Sequence, residues 1–191
     1  LALPFFDAAH RSLGSALAAW VPQQQIDEQD DRAACRAWVR ALGDAGWLRY
    51  CVPEAHGGAL PAPDSRALVI LRETLAFHSP LADFAFAMQG LGSGAITLAG
   101  TPAQQSAYLR AVANGKKIAA FALSEPDAGS DVAAMALRAT PTANGWQLNG
   151  QKTWISNGGM ADFYVVFAKT TPDAGARGDL HARSGFQHFR M

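Results

Sequence analysis

Cysteine is scarce in this chain. Cys35 and Cys51 are the only two in 191 residues. They are not closely spaced and no histidine pattern accompanies them, which argues against a zinc site or a disulfide framework. They read instead as reduced, largely buried thiols of a cytoplasmic protein, because free cysteine packs as a small hydrophobe. An excess of one charge is also lacking. Sixteen Lys and Arg balance sixteen Asp and Glu, so no net field gathers nucleic acid or an anionic membrane; a small basic cluster could still hold an anionic ligand locally. Long apolar runs are missing too. The longest, Leu81 to Ala99, is interrupted by Asp83, Gln89 and three glycines, too polar for a membrane span. The opening Leu1-Ala2-Leu3-Pro4-Phe5-Phe6 has no basic start and no cleavable apolar stretch, so no signal peptide is expected. Neither GxGxxG nor GxxxxGK[ST] occurs, which leaves no dinucleotide fingerprint and no P-loop.

What is present is a chain able to fold. Hydrophobic residues make up 49% and charged residues 17%, the balance of a globular protein with a core. Residues 1–116 read as helical. Phe6, His10, Leu13, Leu17 and Trp20 recur at helical spacing until Pro22. Asp30 or Asp31 caps a second helix through Cys35, Trp38, Val39 and Leu42, and Asp64 caps a third through Leu68, Leu71, Leu75 and Phe77. Pro80 opens a fourth. Thr101-Pro102 starts a fifth, with Thr as N-cap and Pro at the first helical position, and that helix stops at Asn114-Gly115.

The pattern changes at Lys117. Ile118 to Leu123 is a short apolar run suited to a buried strand, and Trp146 to Gly150 alternates after the turn signal Asn144-Gly145. Thr153-Trp154-Ile155-Ser156 continues in strand-like residues, and Phe163 to Ala168 is the most strand-like segment of all. Strands that follow helices as a block predict an α+β fold rather than an alternating one.

Two segments could carry chemistry. In Ser124-Glu125-Pro126-Asp127-Ala128-Gly129-Ser130-Asp131, a strand ends in a turn whose successive N–H groups can form a concave anion site. Glycine there permits close approach and Ser130 adds a neutral donor. An ordinary turn has the same composition. In Gly150-Gln151-Lys152-Thr153-Trp154-Ile155-Ser156-Asn157-Gly158-Gly159, an indole beside a hydroxyl residue offers a flat apolar face and a hydrogen-bond donor together, as a flavin ring requires. A core tryptophan beside a hairpin would read the same way.

Taken together, the two segments resemble in order, spacing and wording the signature stretches of the acyl-CoA dehydrogenases. The resemblance extends to Leu3-Pro4-Phe5-Phe6, Val52-Pro53-Glu54 before His56-Gly57-Gly58, and Gly100-Thr101-Pro102-Ala103-Gln104-Gln105, covering residues 3–178. It implies an N-terminal helical domain (1–116), a middle antiparallel β domain (117–178, incomplete) and an atypical tail (179–191). It also implies FAD as cofactor, an acyl-CoA substrate, an electron-transfer flavoprotein as acceptor, and a homo-oligomer. By position, Phe121, Leu123, Ser124, Gly129, Ser130, Trp154, Ile155 and Ser156 would bind the cofactor. Leu123 and Ser124 would bond the ring, Trp154 would pack beside it, and Ser156 would donate near the hydride-accepting nitrogen. Ser130 would also meet the thioester arm of the substrate. The family's catalytic base is a glutamate of a C-terminal helical domain that has no counterpart here, so no catalytic residue is assigned. Glu125 and Glu54 read as structural.

The chain departs from the family pattern in places. Serine stands at 124 and 156 where threonine is common, and Asp127 where glycine or alanine is. After Gly178 the resemblance stops, and Asp179 to Met191 shows no clear period, which suggests a truncated or frameshifted member. From this follow the expectations of weak or absent FAD binding, no turnover by the chain alone, and a tendency to aggregate through exposed interface surface. Same-fold acyl-CoA oxidases, nitroalkane oxidases and flavin monooxygenases, or an inactive fragment with at most a binding role, remain alternatives on these residues.

Overall fold

The computed structural model describes residues 3–143 and 145–171; Asn144 of the expected turn and the tail from 179 onward lie outside them. Five helices come first. They are α1 (Ala8–Trp20), α2 (Asp31–Asp44), α3 (Ser65–His78), α4 (Pro80–Ala99) and α5 (Pro102–Ala113). Each begins where a side chain can satisfy the free N–H groups of a first turn. Asp7, Asp30, Asp64 and Ser79 accept from backbone N–H groups at the first four starts. Thr101 and Gln104 form a reciprocal capping box at the fifth.

Helix α4 lies at the centre. It packs against α2, α3 and α5 on its flanks and against the first strand on another face. Ala82, Ala85, Phe86 and Ile96 point into a core shared with Leu17, Trp38, Leu42, Leu71, Leu75 and Leu109. Its fully buried Gln89 donates from Nε2 to the carbonyl of Lys117 (2.7 Å) and accepts at Oε1 from the Ala119 N–H (2.8 Å). A polar side chain there satisfies the edge of a strand that α4 covers. Gly92 permits the contact: a Cβ built on it would lie 2.4 Å from the Cβ of Ala119.

Four strands follow: β1 (Ala119–Ala122), β2 (Arg138–Thr142), β3 (Gly145–Asn149) and β4 (Phe163–Val166). The β2–β3 pair is the antiparallel hairpin the turn signal predicts, with Thr142 opposite Gly145. The β1–β4 pair is parallel, in register from Ala119↔Phe163 to Ala122↔Val166. The expected antiparallel β domain thus holds one parallel pair beside its antiparallel hairpin. The long excursion of residues 123–162 returns the chain in the same direction, which a parallel pair requires. A correction concerns residues 153–156. They form no strand, because Trp154 and Asn157 both adopt left-handed backbone conformations (φ 55° and 62°) that interrupt an extended chain.

The strands do not share one core. Ile118, Ala119, Phe163 and Val165 belong to the helical core, where the Phe163 ring lies 4.7 Å from that of Tyr108. Ala122, Leu137, Ala139, Val166 and Ala168 form a separate, smaller cluster beneath the hairpin. The candidate segments sit between the two. Among the described residues no helix is long and apolar enough to cross a membrane.

Candidate functional site

Strand β1 delivers the first segment. Phe121 is half-buried, with its ring 4.8 Å from Phe167. After Ala122 the chain leaves the sheet, and Glu125 and Ala128 close a tight turn through Glu125 N–H to Ala128 O (2.9 Å) and Ala128 N–H to Glu125 O (3.3 Å). Pro126 and Asp127 lie exposed at its tip. Gly129 and Ser130 follow, both exposed, and a Cβ on Gly129 would meet nothing within 4 Å. Approach to the backbone is therefore open at that point.

The second segment is drawn against the first by two links. The Thr153 N–H donates to the Ser124 carbonyl (3.0 Å). The Lys152 ammonium donates to the Leu123 carbonyl (2.8 Å) and to Glu125 Oε1 (2.8 Å). Trp154 then turns outward at positive φ and is 91% exposed. An indole so placed buries little area inside the protein, although tryptophan normally supplies large apolar contact. Ile155 turns back into the small cluster beneath the hairpin, and Ser156 is half-buried beside it.

The far end of this loop is anchored to the helices. Asn157 Nδ2 donates to the Ala119 carbonyl (2.9 Å), and Cys35 Sγ of α2 lies 3.5 Å from Asn157 Oδ1. Arg32, also on α2, donates to the Gly158 carbonyl (3.1 Å). Asparagine suits position 157 because it tolerates the left-handed region while its amide bridges strand and helix.

Electrostatics separate the groups that hold the site from those that could act in it. Burial is the largest influence on the Glu125 carboxyl and works to raise its pKa. The Lys152 hydrogen bond and the N–H groups of Ala136 and Leu137 outweigh it, so the pKa lies below the ordinary value. A general base needs the opposite shift, towards neutrality; Glu125 is a structural carboxylate. Burial pushes the Cys51 thiol up to about 12 and also raises Cys35, so neither is a ready nucleophile. The hydroxyls of Ser124, Ser130 and Ser156 have no hydrogen-bond partner among the described residues. No group of three or more His, Cys, Asp or Glu side chains gathers there to hold a metal ion.

The structure thus brings Leu123 and Ser124 against Thr153, next to Trp154. No hydrogen bond or ring contact among the described residues joins Gly129 or Ser130 to Trp154, Ile155 or Ser156. Sequence reasoning gave no role to Lys152, Asn157, Cys35 or Arg32. The visible signal for Lys152 was a charged residue amid strand-like neighbours. The links of Asn157 to α2 span more than a hundred residues and leave no local trace.

Comparison with known proteins adds a lineage to this geometry. The family description "Acyl-CoA dehydrogenase, N-terminal domain" matches residues 8–116, and "Acyl-CoA dehydrogenase, middle domain" matches residues 120–183, running past Gly178. The chain is similar to the probable acyl-CoA dehydrogenase FadE25 of Mycobacterium tuberculosis, 39% identical over 138 residues, covering 72% of this chain and 35% of that protein. It thus spans about a third of the length of such curated relatives. Among solved structures, an acyl-CoA dehydrogenase from Bacillus anthracis complexed with FAD superposes with a TM-score of 0.78 at 28% identity. The match covers 94% of this chain and 31% of that one. A glutaryl-coenzyme A dehydrogenase in complex with glutaryl-CoA gives a TM-score of 0.77 at 28% identity, covering 94% and 47%.

Proposed function

This chain belongs to the acyl-CoA dehydrogenase family, and from that premise we propose that it supplies one wall of an FAD site for α,β-dehydrogenation of an acyl-CoA thioester. The observation that carries the reading is the outward Trp154, held at positive φ beside the half-buried Ser124 and Ser156, whose hydroxyls are unengaged among the described residues. An exposed indole in a constrained backbone stores its contact area for a ligand. The residues fit the cofactor: a flat face, donors beside it, and an open backbone at Gly129 that no side chain obstructs.

In this reading Trp154 packs on the flavin ring, and Ser156 donates its O–H to the ring edge next to the hydride-accepting nitrogen. Ser124 donates from its hydroxyl, and the backbone N–H groups near Leu123 face the polar rim of the ring. The Leu123 carbonyl takes no part, since it accepts from Lys152. Phe121 and Ile155 back the ring from the two apolar clusters. Gly129 and Ser130 receive the diphosphate, and Ser130 also meets the thioester arm. Bound FAD supplies the two-electron acceptor that takes hydride from the β-carbon. No described residue is assigned to remove the α-proton. An electron-transfer flavoprotein as acceptor and homo-oligomeric assembly complete the proposal and follow from lineage alone.

The test is an FAD titration of the 191-residue chain followed by flavin fluorescence. Weak but saturable binding is expected, since the chain supplies only one wall of the site, with the dissociation constant raised roughly tenfold by Trp154→Ala, the scale of a lost aromatic contact. Absence of saturable binding up to millimolar FAD, or a Trp154→Ala curve that overlays the wild type, contradicts the proposal.

A further inference from the structure

Lys152 and Glu125 form a buried ion pair whose ammonium has no donor left over for a ligand. Their side chains are 7% and 5% exposed. The Lys152 ammonium has three donors and three acceptors around it: Glu125 Oε1 and the Leu123 carbonyl, each at 2.8 Å, and Met135 Sδ at 3.4 Å. Glu125 accepts in addition from the N–H groups of Ala136 and Leu137. Three stretches of chain therefore meet at one neutral node: 123–125 at the end of β1, 135–137 before β2, and 151–153 before Trp154. The Thr153 N–H to Ser124 carbonyl bond closes the same junction.

We propose that Lys152 and Glu125 are positioning residues for the cofactor site, fixing Ser124 and the Gly129-Ser130 turn relative to Trp154 and Ser156 without touching the bound group. The inference rests on the FAD reading above. A lysine close to an expected diphosphate invites the opposite assignment, an anion ligand. Its full set of acceptors opposes that, as does the carboxylate that cancels its charge. A buried pair of this kind is a weak source of net stability but costly to break from one side, because the remaining charge is left uncompensated. Its value here is geometric. Among the described residues no sheet ladder joins the two segments, and the node replaces one.

The experiment measures two properties of the 191-residue chain and its variants Lys152→Met, Glu125→Gln and Lys152→Arg. One is the FAD dissociation constant; the other is site-resolved amide hydrogen exchange without FAD. Lys152→Met and Glu125→Gln are both expected to weaken FAD binding by about 10–100-fold, by analogy with the loss when residues that orient metal ligands are replaced. Lys152→Arg, which keeps the charge and donors, recovers part of the loss. Amides of Ala136, Leu137 and Thr153 exchange faster in the first two variants, while those of α2 to α5 hold their protection. Tighter FAD binding by Glu125→Gln would overturn the proposal, since a freed ammonium would then be acting as the anion ligand. Unchanged affinity, or unchanged exchange at the three amides, overturns it as well. If the wild-type chain binds no FAD, the cofactor reading fails by itself, and the exchange arm still decides whether the node holds the two segments together.

Discussion

The helices and the loop beyond β1 obey opposite rules of construction. Each helix start is closed by a side chain within a few residues: Asp7, Asp30, Asp64, Ser79 or Thr101. The region after Ala122 is held by distant partners instead. Lys152 reaches Leu123 and Glu125, Asn157 reaches Ala119 and Cys35, and Arg32 reaches Gly158. Local closure makes a region that specifies itself. Remote closure makes one whose shape depends on everything around it, and that is where three hydroxyls and an indole are left without partners among the described residues. The division does not follow the change from helix to strand, because β1 and β4 bury their inner residues in the helical core.

That last point gives the strongest way to break the comparison. Phe163 belongs to a strand yet is 1% exposed within the helical core. Phe163→Ala should cost about 3–5 kcal/mol, the range for truncating a buried aromatic, in urea unfolding followed by far-ultraviolet circular dichroism. A loss below about 1 kcal/mol, outside the usual range for such truncations, would mean that the strands fold apart from the helices. Gly92 tests the same junction from the helix side. Gly92→Val places side-chain atoms where Ala119 already stands and should cost about 1–3 kcal/mol by overpacking, read as a lower urea midpoint. Stability at or above wild type would show that α4 and β1 are free to separate.

Thr101→Ala sharpens the contrast at a smaller scale. Loss of the capping box should lower stability by about 1 kcal/mol and speed amide exchange in the first turn of α5 alone. Faster exchange in residues 123–158 would show that the two regions are coupled through this helix start. Phe77→Ser marks the lower limit. The ring is 84% exposed, so stability should move by no more than about 0.5 kcal/mol in the same urea experiment. A larger loss would reveal a contact that this face makes in solution.

Much of the helical half was legible in the sequence, because caps and apolar spacing are local signals. Asp64, Pro80 and Thr101-Pro102 each stand where a helix begins, and the apolar positions of α2 are the ones it buries. The β2–β3 hairpin was legible for the same reason. The parallel β1–β4 pair was not, since its register depends on a long excursion with no periodicity of its own. Nor was the break at Trp154. Thr, Trp and Ile favour extended backbone by propensity, whereas the chain turns left-handed at Trp154 and again at Asn157, which is anchored to β1 and α2. The residue types of the candidate site could be read in order, but the node that assembles them could not. Glu125 and Lys152 are far apart in the chain and meet only once the fold brings them together.

The most direct test of the central claim is a hydrogen-exchange footprint of FAD on the wild-type chain. The account predicts slower exchange at the amides of residues 123–124, 128–130 and 155–158, with α1 to α3 unchanged. Protection confined to the helices, or no protection at saturating FAD, would contradict it.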